Sequence, residues 1–164
     1  MTAFARLLAA GAIALTAGMP ALGQDGAQDE TVATIISNDV RHEFSIEVAD
    51  DDQERSRGLM FVEELAPDAG MLFDFFDERP VAFWMQNTLI PLDMIFIKAD
   101  GEIARVHAEA VPMDRTSIPS GEPVRFVLEI PGGRAAELGI EAGDTLEHPR
   151  VGDDSAQGDE AASQ

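Results

Sequence analysis

The residues that could do chemistry gather in one stretch, Phe83–Phe96, which reads F-W-M-Q-N-T-L-I-P-L-D-M-I-F. It holds the only tryptophan, Trp84, and sets the polar triplet Gln86-Asn87-Thr88 and the acid Asp93 among apolar residues. A polar island in an apolar run must either be hydrogen-bonded inside the fold or line a site. If residues 92–98 form a strand, Asp93 shares a face with Ile95 and Ile97, and Leu92, Met94 and Phe96 take the other face. Both faces are apolar, so the carboxylate is expected to be buried and to need partners. Arg55, Arg57, Asn87 and Thr88 are the candidates. Two roles stay open: a polar clamp pinning the 87–91 loop, or an acid or ligand-orienting carboxylate in a cleft.

Trp84, between Phe83 and Met85, is either core or a platform on which a sugar ring stacks. Asn87 and Thr88 beside it could supply hydrogen bonds, and Arg57 a charge. The leading reading is a non-catalytic binding or accessory domain with a site at Trp84, Asn87, Thr88, Asp93 and Arg57. One alternative is a hydrolase-like enzyme using Asp93 as acid or base; it needs a second matched group, and the sequence singles none out. Another is Cu(I) handling by the soft sulfurs of Met60, Met71, Met85, Met94 and Met113, joined by His107. No M-x-M or M-x-x-M spacing supports it, and filling core gaps is methionine's ordinary work. His42, His107 and His148 are isolated, so no zinc spacing appears. There is no G-x-S-x-G elbow, P-loop or G-x-G-x-x-G. The sequence therefore names no metal and no cofactor. Gly132-Gly133, ahead of a short helix, reads as a turn and helix start.

The elements that must position these residues fit one domain, residues 31–150 of the 164. A formal net charge of -20 repels nucleic acid and anionic membrane surfaces, leaving a small molecule, a glycan or an envelope protein as partner. The absence of cysteine removes disulfides, thiolate catalysis and thiolate metal sites together. Arg6, the apolar run Leu7–Met19, Pro20 and the small residues of Ala21-Leu22-Gly23 read as a secretory signal peptide over residues 1–23. The run is short for a membrane span. The mature protein is thus expected to be periplasmic or extracellular, without stable membrane insertion. Residues 24–30 read as a flexible leader and 151–164 as a disordered acidic tail.

Between them, Thr31–Ser37 and His42–Ala49 predict strands joined at Asn38-Asp39. Residues 51–57 predict a short helix, with acids first, Arg55 and Arg57 last, and Gly58 as stop. Further strands are expected over 71–76, 81–85, 92–98, 102–110, 124–130 and 145–148, and a second helix over 134–138. The runs flanking Asp100-Gly101 make the clearest hairpin. Hairpins dominate and no connection is a long helix of the kind parallel winding uses. The predicted class is therefore α+β and β-rich: a mostly antiparallel, curled or barrel-like sheet with two short helices.

Several blocks recur in an order that resembles a bacterial and archaeal family known as domain of unknown function 192. They are Val48-Ala49 leading to Glu54-Arg55 and Arg57-Gly58-Leu59-Met60; Gly70-Met71-Leu72-Phe73; Phe83-Trp84-Met85 with Asn87-Thr88; Pro91-Leu92-Asp93; Asp100-Gly101; Leu128-Glu129 ahead of Gly132; and Gly139 with Gly143-Asp144. The likeness covers residues 43–146. Gln86 stands where many relatives carry lysine. The resemblance implies a compact β-rich domain, often behind a signal peptide, and no established reaction.

Overall fold

The computed structural model describes residues 29–152. The expected signal peptide and nearly all of the expected leader and tail lie outside them. In chain order the elements are β1 (Val32–Ser37), β2 (Val40–Ala49), α1 (Asp52–Arg57), β3 (Ala69–Arg79), β4 (Ala82–Phe83), β5 (Leu92–Ile97), β6 (Ile103–Ala110), β7 (Ile118–Pro119), β8 (Val124–Pro131), α2 (Arg134–Leu138) and β9 (Thr145–Glu147).

Seven strands form one sheet in the order β6-β5-β8-β3-β2-β1-β9, and β4 pairs with β7 as a small ribbon. The large sheet curls until its outer strands touch. Glu102 bridges Thr145, and the N–H of Leu146 donates to Gly101 O at 2.8 Å. Curling satisfies backbone groups that a flat sheet would leave open at its edges.

The sheet is mostly antiparallel, as expected, but not purely so: one pairing is parallel. β2 runs parallel to β3, with Glu47 opposite Met71 and Ala49 opposite Phe73. The connection from Asp50 to Asp68, with α1 in its first part, is long enough to return the chain to the start of the next strand, so no long helix is needed. Two lengths also differ. The strand expected over 81–85 shrinks to Ala82–Phe83, and β3, expected to end at 76, runs on through Asp77-Glu78-Arg79. A register shift between Asp74 and Arg79 lets β3 bend there while staying paired with β8.

Alternation along the strands builds two cores. Inside the curl lie Ile35, Phe44, Leu72, Ile95, Ile97, Phe126 and Leu128. On the outer face lie Phe73, Leu92, Met94, Phe96 and Val127, covered by Leu59 and Met85 from the connections and by Ile118 of β7. Val151, placed in the tail from sequence, packs against the inner core.

Candidate functional site

The outer core is not fully covered. A cleft of about 660 Å³ opens over it, bounded by α1 and its exit, by the far end of β3, and by β4 with the residue after it. Its floor is Glu129. On β8, Glu129 lies opposite Met71 of β3 on one side and Met94 of β5 on the other. Cross-strand partners share a face, so this acid stands between two thioethers, near Phe73. It is only 5% exposed. No hydrogen bond to its carboxyl is found among the described residues. Burial pushes that carboxyl up to about 8, because the charged form would sit in an apolar setting without a donor. Glu129 is therefore protonated at neutral pH and can donate a hydrogen bond.

The wall is aromatic. Phe83 is the hub, with its ring edge-on to Phe73, Phe75 and Phe96 at 5.0, 6.2 and 6.3 Å. Such T-shaped pairs each add to simple burial. With Phe83 anchored inward, Trp84 turns outward and stays 52% exposed.

The rim is cationic. Arg55 is held in place, donating to Asp50 O, Asp74 O and the Asp52 carboxylate. Arg57 and Arg79 have no carboxylate partner among the described residues. Arg79 lies over the Phe75 ring at 5.1 Å, and both arginines line the cleft. Among the described carboxylates, Asp52 alone shares the lining with Glu129, and it is tied to Arg55 at 2.7 Å.

Gly58 makes the cleft possible. It closes α1 with φ 46° and ψ -139°, its N–H donating to Glu54 O. Only glycine takes this conformation readily. A β-carbon there would stand 3.1 Å from Phe73 Cζ and 4.0 Å from Glu129 Oε2.

Of the sequence candidates, Trp84, Thr88 and Arg57 line this cleft. Asn87 serves the covering loop: its carbonyl accepts the N–H of Phe61 at 2.9 Å, and its side-chain nitrogen meets Met60 Sδ at 3.8 Å. Asp93 lies elsewhere, fully buried. None of Arg55, Arg57, Asn87 and Thr88 is its partner. Its Oδ1 accepts the backbone N–H groups of Glu109 and Gly133 at 2.7 and 2.9 Å, and its Oδ2 that of Ala135 at 2.8 Å. The five methionines are spread: Met85 and Met94 in the core, Met60 and Met71 at the cavities beside α1, and Met113 exposed. His107 packs beside Arg105, and burial holds its pKa below the usual histidine value. Among the described residues no group of three or more His, Asp or Glu side chains is placed to hold a metal. No helix among them is long and apolar enough to cross a membrane.

Sequence reasoning missed Glu129 as chemistry. The signal was present: in V-R-F-V-L-E-I an acid alternates with apolar residues in a buried strand, the pattern that singled out Asp93. It also missed Arg79, which lies between the strands expected over 71–76 and 81–85.

Fold and site together define a curled β-sheet domain carrying an acid-floored, aromatic-walled cleft beneath a short helix. The chain belongs to the DUF192 family, described as uncharacterized ACR, whose model matches residues 33–148. A crystal structure from Sinorhizobium meliloti 1021, provisionally described as a transcription regulator, is 44% identical and superposes with a TM-score of 0.71 over 73% of this chain and 94% of that one. A protein of unknown function from Novosphingobium aromaticivorans DSM 12444 is 39% identical, with a TM-score of 0.70 over 84% of this chain and 99% of that one. A comparison with curated proteins finds no match.

Proposed function

We propose that this protein is an exported, non-catalytic binding protein that takes a small ring-bearing molecule, such as a sugar, into the cleft over Glu129. One observation carries the reading: a buried acid without a hydrogen-bond partner among the described residues faces the same cleft as a half-exposed tryptophan. A buried polar group without a partner has a desolvation cost that folding alone leaves uncompensated. A ligand hydroxyl or carbonyl meeting Glu129, with its ring against Trp84, offsets that cost. Binding is favoured over hydrolysis because, among the described residues, the cleft pairs Glu129 with no second free carboxylate, and Asp93 is committed to three backbone donors. Export rests on the N-terminal sequence. The regulator description of the Sinorhizobium protein does not carry over here, since a net charge of -20 opposes contact with a phosphate backbone.

Trp84 is the only tryptophan, so its fluorescence reports the cleft directly. Purified protein titrated with neutral and acidic monosaccharides and with small aromatic alcohols and acids is expected to show saturable emission changes and a raised unfolding midpoint. Trp84→Ala should abolish the midpoint shift. Absence of any response across the panel would overturn the reading.

A further inference from the structure

We propose that the ligand of this cleft is an organic carboxylate, its acid group bound at the rim by Arg57 and Arg79 and met from below by the Glu129 carboxyl acting as a hydrogen-bond donor. The inference rests on the binding role proposed above and specifies the chemistry of the ligand.

The first observation is where the free cations lie. The chain has 31 acidic residues against 11 basic ones, so an arginine on its surface has carboxylates to pair with. Arg41, Arg55, Arg134 and Arg150 each have such a pair. Arg57, Arg79, Arg105 and Arg115 have none among the described residues, and of these Arg57 and Arg79 line one cleft. They approach it from different elements, Arg57 at the end of α1 and Arg79 at the end of β3. Guanidinium presents a planar donor fork that matches a carboxylate. The third arginine, Arg55, is already bound to Asp52 and to two carbonyls, so it braces the helix end.

The second observation is independent of the first. Glu129 lies beneath the rim, 5% exposed, between Met71 and Met94, with no partner among the described residues. Were it ionised, it would repel an anion and compete for the arginines. Buried as it is, it is held neutral, and a neutral carboxyl has a proton to give. A neutral carboxyl donor below and two guanidinium groups above form an acceptor's environment. A cationic ligand would meet two arginines that lack a carboxylate partner among the described residues, and a wholly apolar one would leave Glu129 unmatched. The aromatic wall at Trp84 and Phe83 accepts the body of the molecule.

The test uses matched pairs that share a ring and differ in the acid: D-glucuronate against D-glucose, N-acetylmuramate against N-acetylglucosamine, and benzoate against benzyl alcohol. Each is titrated into the full-length purified protein at pH 6.5, with Trp84 emission and the unfolding midpoint as readouts. The acid of at least one pair is expected to bind at least tenfold more tightly than its neutral partner. Arg57→Gln and Arg79→Gln should each erase that preference without moving the midpoint of the unliganded protein. For the same pair, binding should weaken severalfold above pH 8.5 as Glu129 ionises, and Glu129→Gln should remove this loss. The charged groups that line the cleft with it are Asp52, Arg55, Arg57 and Arg79. Neutral partners that bind as tightly as their acids would overturn the carboxylate assignment and leave the binding role standing. Failure of all six molecules to bind would overturn both.

Discussion

Asp93 caps a helix far along the chain: its Oδ2 accepts the N–H of Ala135, 42 residues on, at 2.8 Å. The local cap residue of α2, Gly133, has no side chain to do this and itself donates to Oδ1. Oδ1 also takes the N–H of Glu109, so one carboxylate ties the start of β5, the end of β6 and the start of α2. Asp93→Ala should cost about 3 kcal/mol or more, since it strands buried donors. Asp93→Asn should cost roughly 2 kcal/mol, because its NH₂ must face the N–H of either Ala135 or the Glu109–Gly133 pair. Urea unfolding measures both. An Asn variant as stable as the parent would contradict the clamp, and an Asn variant that binds ligand normally at low temperature would place Asp93 outside the site.

Much of this was legible from the chain. The Asp100-Gly101 hairpin, both helices and the facing of Asp93 with Ile95 and Ile97 follow from period and turn chemistry alone. The parallel β2–β3 pair does not, because a crossover built mostly of loop leaves no periodic signature. Asp93's burial was readable, but its partners were backbone N–H groups, which carry no sequence label. Its sequence neighbours Asn87 and Thr88 drew attention instead. Glu129 went unread because an acid in an apolar strand looks alike whether it faces a cleft or a partner. Only the fold shows that α1 leaves a gap above it.

Gly58 separates backbone from packing at the site. Gly58→Ala places a residue at φ 46° and sets its methyl 3.1 Å from the Phe73 ring. The expected loss is about 2 kcal/mol. Gly121→Ala is the control: it also has positive φ, but a β-carbon there meets nothing within 4 Å, so about 1 kcal/mol is expected. Equal losses in the two variants would mean that Phe73 moves aside without cost and that the cleft floor is soft.

Trp84 should behave as a wall and not as a core residue. Half its surface is already in water. Trp84→Ala should therefore cost about 1 kcal/mol or less, well below the loss expected for a buried aromatic. A loss above roughly 3 kcal/mol would make it a packing residue and remove the aromatic platform from the binding argument.

Glu129 should leave a mark on stability of a sign opposite to most acids. Its carboxyl is held up at about 8 in the fold, against 4.5 for an unhindered glutamate. Between those values the folded chain keeps a proton that the unfolded chain has released, so stability falls as pH rises. Below pH 4.5 both states are protonated and the residue imposes no charge burial. Above pH 8 both are ionised and the penalty is complete. Glu129→Gln keeps the shape and stays neutral throughout. At pH 4 the variant should match the parent to within about 1 kcal/mol. At pH 9 it should be the more stable by roughly 3 kcal/mol. Because other groups titrate in both proteins, the difference between the two unfolding curves isolates Glu129. A difference that stays flat from pH 4 to pH 9 would show the carboxyl ionising normally, and the neutral donor on which ligand recognition depends would be lost with it.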